Sequence, residues 1–173
     1  MLRALIWFPG FPVHVIFKHK GMPTIEDAIK QPTFKTAAHR AQVNTIFTAA
    51  WLNLLTGQTL KPFGLSLQQF NILRILRGRG GKPATIKLLT ERMIDKMSNA
   101  SRLVDKLKEK GFVERRECPS DRRQVDILIT DAGLEMIDHA SKAVEASQNR
   151  IFGNLSEEEA VTLSQLLDKL RGQ

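Results

Sequence analysis

Cysteine is nearly absent from this chain: Cys118 is the only one in 173 residues. An intramolecular disulfide and a cysteine-based metal cluster are therefore excluded, and a reducing, cytoplasmic setting fits. Aromatic side chains are scarce at 6%, while Leu, Ile, Lys and Glu are plentiful, a balance that favours helix. No stretch is long and apolar enough to span a membrane. His14, His19, His39 and His139 are scattered without the close spacing of metal ligands, so neither metal nor cofactor is expected. No nucleophile–base arrangement or pocket-forming carboxylate pair emerges, which argues against an enzyme. The acidic run Glu157 to Glu159 reads as the first turn of a helix, where the helix dipole favours negative charge.

What is present suits one compact domain, or a small domain with long helical appendages: 42% of the residues are hydrophobic. The apolar segment Leu2 to Phe17 is broken by Pro9, Gly10 and Pro12 and lacks a small-residue cleavage site, unlike a signal peptide. Residues 1–21 are expected to be an appendage, with Met22 as the natural start; the intact mass of the native protein reads this directly. Charge is unevenly spread. Residues 1–73 carry seven basic and two acidic side chains, a net +5. Residues 74–123 carry fifteen basic and seven acidic, a net +8, and residues 124–173 carry four and nine, a net −5. A folded basic middle third attracts a polyanion, and the charge alone modestly favours nucleic acid over a solvated face with scattered lysines.

Residues 33–56 predict a long helix capped by Thr33. Phe34, Ala38, Ala41, Leu52 and Leu55 form one stripe, and Val43, Ile46, Phe47, Ala50, Trp51 and Leu54 form a second face. A helix apolar on two sides must bury both, and a partner subunit is the economical cover. After a linker at 57–64, Ser66 and Gln69 have the spacing of a capping box that opens the next helix. The Gly80-Gly81-Lys82 run is not a phosphate loop, because Pro83 stands where a Ser or Thr is required. A short helix at 83–93, a tight turn at Ile94-Asp95 and a helix at 98–110 then make a helix-turn-helix. Ala100, Leu103, Val104 and Leu107 give the second helix its inner face, and Gly111 ends it. A hairpin follows: strand 112–117, tip 118–123 and return strand 124–129. A long helix from Thr130-Asp131 to about Phe152, with Leu134, Ile137, Val144 and Ile151 inward, precedes a last helix capped by Ser156 and Glu159. Ala160, Leu163, Leu166, Leu167 and Leu170 line that last helix.

The polar face of the 98–110 helix carries Ser98, Asn99, Ser101, Arg102, Asp105 and Lys106, with Lys96 just before it. Arg can bond both acceptors on a guanine edge, Asn can pair with adenine, and Ser serves base or phosphate. An ordinary solvated helix face accounts for this surface about as well when it is taken alone. The basic hairpin shifts the balance. Arg115, Arg116, Arg122 and Arg123 sit at or near the turn, and an arginine there reaches a narrow minor groove. Asp121 is placed to orient Arg123 by a charge-assisted hydrogen bond.

These stretches resemble the multiple-antibiotic-resistance regulator (MarR) family, from about Leu65 to Gly133. LSLQQFNILRIL, NASRLVDKLKEKGFVERR and CPSDRRQVDILITDAG carry the resemblance, with the Asp-x-Arg wing pattern at Asp121 and Arg123 followed by Ile129-Thr130. Lys96 departs from the pattern, standing where many relatives place a polar cap, and residues 1–21 have no counterpart. The resemblance implies a mainly α fold with a small β-hairpin wing. An N-terminal extension (1–32) and a dimerisation helix (33–60) would precede a winged helix-turn-helix (65–130), with C-terminal dimerisation helices at 131–173. It further implies a homodimer binding double-stranded DNA at an inverted repeat, as a repressor, with a small-molecule effector that releases it. Lys96, Ser98, Asn99, Ser101, Arg102, Lys106, Arg122 and Arg123 would contact DNA, Arg123 in the minor groove with Asp121 orienting it. Redox sensing at Cys118, with Arg115 and Arg116 favouring the thiolate, is the weaker reading, since redox-sensing relatives support their cysteine with tyrosine and this chain has none. His39 is placed by analogy near a regulatory pocket. A winged-helix protein-interaction module and a non-specific architectural DNA binder are the alternatives; the basic wing argues against the first, and competition between specific and random DNA separates the second.

Overall fold

The computed structural model describes residues 23–118 and 121–172, and the backbone alone at 118 and 121–124. The expectations for residues 1–21 and Met22 lie outside the described residues. Helix α1 (Ile25–Ile29) is followed by α2 (Ala37–Leu60), a 3-10 turn (Lys61–Phe63), α3 (Leu67–Arg77), α4 (Ile86–Arg92) and α5 (Ala100–Glu109). Strands β1 (Val113–Cys118) and β2 (Asp121–Ile129) come next, then α6 (Asp131–Phe152) and α7 (Glu157–Leu170). The chain divides into two compact units, 1–49 and 50–173, with the boundary inside α2.

In the first unit, α1 is too short to show a hydrophobic period. What sets it is local chemistry: Thr24 and Asp27 form a capping box. Arg40 on α2 grips the Glu26 carboxylate through Nε (2.6 Å) and a terminal nitrogen (3.3 Å). The guanidinium beside it pulls the Glu26 carboxyl down to about 2. This tie is complete above the ordinary carboxylate range and is lost only as pH falls through that lowered value. Helix α2 starts later than the sequence suggests, because Thr36 rather than Thr33 caps it, its hydroxyl accepting from the His39 N–H at 3.1 Å.

The helix also runs past Gly57 to Leu60, where the 33–56 expectation stops it. Leu60 is fully buried, the Thr59 hydroxyl donates to the Leu55 carbonyl across the glycine, and the Thr56 hydroxyl donates to the Leu52 carbonyl just before it. Burial of one leucine, worth roughly 1.5–3 kcal/mol, outweighs the cost of about 1 kcal/mol for helical glycine.

Within the second unit α3 is the hub, opened by the Ser66–Gln69 capping box and touching α4, α5, α6 and β2. Its Ile72, Leu73 and Leu76 are buried with Leu89, Val104, Leu107, Ile127 and Ile137. Helix α4 begins at Ile86, not at Pro83, for two reasons. Thr85 caps it, and Ala84 exchanges two backbone hydrogen bonds with Ile127 (2.9 and 2.8 Å), adding a one-residue third strand to the wing. The inner face of α6 is Ile137, Ala140, Ser141 and Val144; Leu134, expected inward, is 36% exposed. Arg77 reaches across from α3 to Asp138 at 2.8 Å and to the Ser141 hydroxyl at 3.3 Å.

The end of α5 shows why Gly111 stands there. It adopts φ +75°, and the bonds Phe112 N–H to Leu107 C=O and Gly111 N–H to Lys108 C=O close the helix. The chain then returns to the same spot after the wing. Thr130 donates its hydroxyl to the Gly111 carbonyl (2.7 Å) and accepts from the Gly133 N–H (3.1 Å), capping α6. Any side chain at 133 would collide there, since a Cβ would sit 2.2 Å from the Phe112 carbonyl oxygen. Gly133→Ala is accordingly expected to destabilise the fold by about 1–3 kcal/mol or more in chemical denaturation. Unchanged stability would contradict this close approach.

Candidate nucleic-acid interface

Asn99 caps α5: its side-chain oxygen accepts from the Arg102 N–H at 3.0 Å. The reading helix therefore starts at Ala100, two residues later than the 98–110 assignment. The Asn99 amide nitrogen remains available to donate outward. Lys96 is no cap; its ammonium donates to the Glu91 carbonyl near the end of α4. The inner face of α5 is Ala100, Val104 and Leu107, all buried, with Leu103 half-buried. Ser101, Arg102 and Lys106 face outward and are exposed, and Ser98 is half-buried.

A shallow groove of about 340 Å³ runs along this outward side, lined by Gln68, Ser98, Asn99, Arg102, Leu103 and Lys106. Gln68 comes from α3, and no local pattern in the sequence singled it out. The turn before α5 is held by Asp95. Its carboxylate accepts from the Ser98 hydroxyl (2.6 Å) and the Met97 N–H (3.1 Å). The Ser98 hydroxyl first, then the Met97 N–H, hold the Asp95 carboxyl below its ordinary value. The turn is thus fully tied at neutral pH, and the ties loosen only as pH falls through that lowered value. Asn71 of α3 anchors the same turn by accepting from the Ile94 N–H at 3.0 Å. At the far end of α5, Lys110 donates to the Gly64 carbonyl (2.5 Å) and the Gln69 side chain (3.3 Å). Both ends of α5 are therefore moored to α3 or the loop that leads into it.

The wing is shorter-tipped than expected. Cys118 pairs with Asp121, and the register shifts between Glu117 and Cys118. Arg122 and Arg123 therefore belong to β2 rather than to the tip. The Asp121–Arg123 hydrogen bond and the redox role of Cys118 concern side chains outside the described residues. Arg115 and Arg116 lie in β1, as the 112–117 strand expectation has them, and pair in register with Ile127 and Asp126. Arg116 forms an ion pair with Glu114. Arg115 turns back to α5, where it meets Asp105 at 2.9 Å and donates to the Ser101 carbonyl at 3.3 Å and hydroxyl at 3.4 Å. Sequence reading placed Asp105 on the polar face and Arg115 in the basic hairpin but did not join them. Within the first unit, His39 meets the Phe34 ring edge-to-face at 81°. Among the described residues no group of acidic, His or Cys side chains could hold a metal.

Arg115 thus clasps the wing to the outer face of the reading helix. Half-exposed ion pairs contribute up to about 1 kcal/mol, enough to bias a hairpin's position. Asp105→Ala and Arg115→Ala should each speed hydrogen exchange at the wing amides, and the double variant should add little to either. Additive effects would mean that the two side chains act independently.

The MarR family model matches residues 65–125, the span from the start of α3 into β2. The chain is 33% identical over 131 residues to the transcriptional regulator PecS of Dickeya dadantii, covering 72% of this chain and 78% of that protein. It is 28% identical over 109 residues to the transcriptional repressor IacR of Pseudomonas putida, covering 63% and 64%. Among solved structures, a mutant MarR from E. coli complexed with operator DNA aligns with TM-score 0.65 at 25% identity, over 73% of this chain and 89% of that one. The organohalide sensing regulator RdhR, bound to 2,4-dichlorophenol, shares the fold with TM-score 0.72 at 23% identity, over 79% and 80%. With the capped reading helix, the clasped hairpin and the long flanking helices all in place, the chain belongs to the MarR family of winged-helix transcription regulators, proteins that act on gene expression rather than as enzymes.

Proposed function

We propose that the protein is a cytoplasmic repressor that binds an inverted-repeat operator as a homodimer and leaves it when a small molecule binds. The observation that carries the reading is the outward face of α5. It is polar and cationic, exposes Ser101, Arg102 and Lys106, and stands beside a basic hairpin tied to it by Arg115. A rigid helix face of this size suits the major groove, and the wing then lies over the neighbouring minor groove. Arg102 reads base edges, with Ser98, the Asn99 amide, Ser101 and Lys106 beside it. Lys96 and Arg122 meet phosphates. Arg123 enters the minor groove, with Asp121 orienting it.

Exposed apolar side chains support the homodimer. In the first unit Ile46 and Phe47 of α2 are 63% and 40% exposed. In the second, Leu54 of α2 and Val161, Leu163, Leu166 and Leu170 of α7 are exposed too. Apolar helix faces this open are characteristic of surfaces that a partner covers. The RdhR structure holds a chlorophenol, and an open surface depression of about 660 Å³ in the second unit here supports an effector of comparable chemistry. Leu54 and Leu65 offer it apolar surface, and Lys61 a cation for an acidic group. No cofactor is required by this scheme. No helix of the described residues is long and apolar enough to cross a membrane, which fits a cytoplasmic site of action.

Two substitutions test the assignment of the reading elements. Arg102→Ala should weaken specific binding by about 1–3 kcal/mol and relax the preference at the base pair it contacts. An unchanged preference across operator variants would remove Arg102 from the reading set. Arg123→Ala should weaken binding most on operators with A·T-rich flanks, where the minor groove is narrow. Equal loss on G·C-rich flanks would reduce Arg123 to a phosphate contact.

A further inference from the structure

The turn between α4 and α5 carries a feature that the polar reading set does not use. Met97 is 93% exposed and Ile94 is 83% exposed, the highest exposure among the large hydrophobic side chains described. Their neighbour Met93 is 1% exposed, so the segment has an apolar interior available and these two side chains stay out of it. They are not held loosely. The Ile94 N–H is fixed by Asn71, the Met97 N–H by Asp95, and the adjoining Ser98 hydroxyl by the same Asp95 carboxylate. A turn tied at three points to present an unburied methionine leaves an apolar area of that side chain in water, a state that burial against a partner would relieve.

The surroundings say what the partner is. Met97 directly precedes Ser98 and the cap Asn99, at the N-terminal end of α5, and Lys96 adjoins it on the other side. Arg92, Lys96, Arg102 and Lys106 are all exposed on α4, the turn and α5. An apolar protein or lipid surface would have to desolvate these cations. A DNA major groove instead welcomes them at its phosphates and offers one apolar group on its floor, the thymine 5-methyl.

We propose that Met97 is a specificity-determining residue that packs on the 5-methyl group of a thymine in each operator half-site. The inference rests on the proposed insertion of α5 into the major groove and adds to it a direct apolar reading of T over C. The unbranched thioether adapts to the groove floor at small cost. Ile94, three residues earlier in the same turn, lies at the rim of the same contact.

Replacing each operator thymine in turn by deoxyuridine deletes only the 5-methyl group and leaves base pairing intact. With the full chain and an operator selected by the protein itself, one symmetric position should lose about fourfold in affinity on this exchange, the loss corresponding to one buried methyl. With Met97→Ala that same position should become insensitive to the exchange, while the Arg102-dependent base preference persists. Because Met97 is almost wholly exposed, the substitution leaves the folded protein intact, and an unchanged denaturation midpoint verifies this. Insensitivity of the wild type at every thymine, or an equal loss in wild type and Met97→Ala, would overturn the proposal while leaving the base-reading role of α5 standing. Absence of any selectable operator would overturn both.

Discussion

The junction at Thr130 holds the functional half of this molecule together. One hydroxyl donates to the carbonyl of Gly111 at the end of α5 and accepts from the N–H of Gly133 at the start of α6. The Thr130 N–H adds a bond to the Phe112 carbonyl at the root of the wing. Reading helix, hairpin and long C-terminal helix are thus fastened at one point. Thr130 is half-buried, so each of these bonds contributes about 0.5–1.5 kcal/mol, and together they bias the three elements towards this arrangement. The close approach requires glycine at 133 and the left-handed conformation at 111, which is why both glycines flank the hairpin.

From that fixed point the geometry of the reading surface follows. The wing leaves the end of α5 and folds back along it, so Arg115 in β1 comes to lie over Asp105 and Ser101. At its other end α5 is positioned by Asn99, Asp95 and Asn71. The helix therefore presents Arg102 and Lys106 on a platform moored to α3 rather than on a free segment. Side chains that enter a groove lose less conformational freedom when their backbone is already fixed. A regulator built in this way can be switched by moving the platform as a body, without altering any contact within it.

Much of this was legible in the sequence where the determining chemistry is local. The capping boxes Ser66–Gln69 and Ser156–Glu159, the terminating Gly111 and the apolar spacing of α5 each involve residues within a turn or two of one another. The winged-helix order and the polar outward face follow from such signals. Features that depend on distant residues were not legible. Ala84 joins the wing through Ile127, Gln68 enters the reading groove from another helix, and Arg115 turns inward to Asp105. None leaves a periodic trace. Boundaries shifted where a competing partner was stronger than the local signal: Leu60 drew α2 beyond Gly57, and Asn99 displaced Ser98 from the start of α5. The hairpin tip was drawn too long because Arg122 and Arg123 look like loop residues by charge, whereas their backbone pairs in β2.

A symmetric pair of these platforms recognises DNA by sequence only if bound duplexes selected from a random pool, with the purified protein at near-physiological salt, share a site. The expected result is enrichment of one inverted repeat with half-sites about one helical turn apart. Tight binding without an enriched sequence, or no binding at all, would rule out sequence-specific recognition by these platforms.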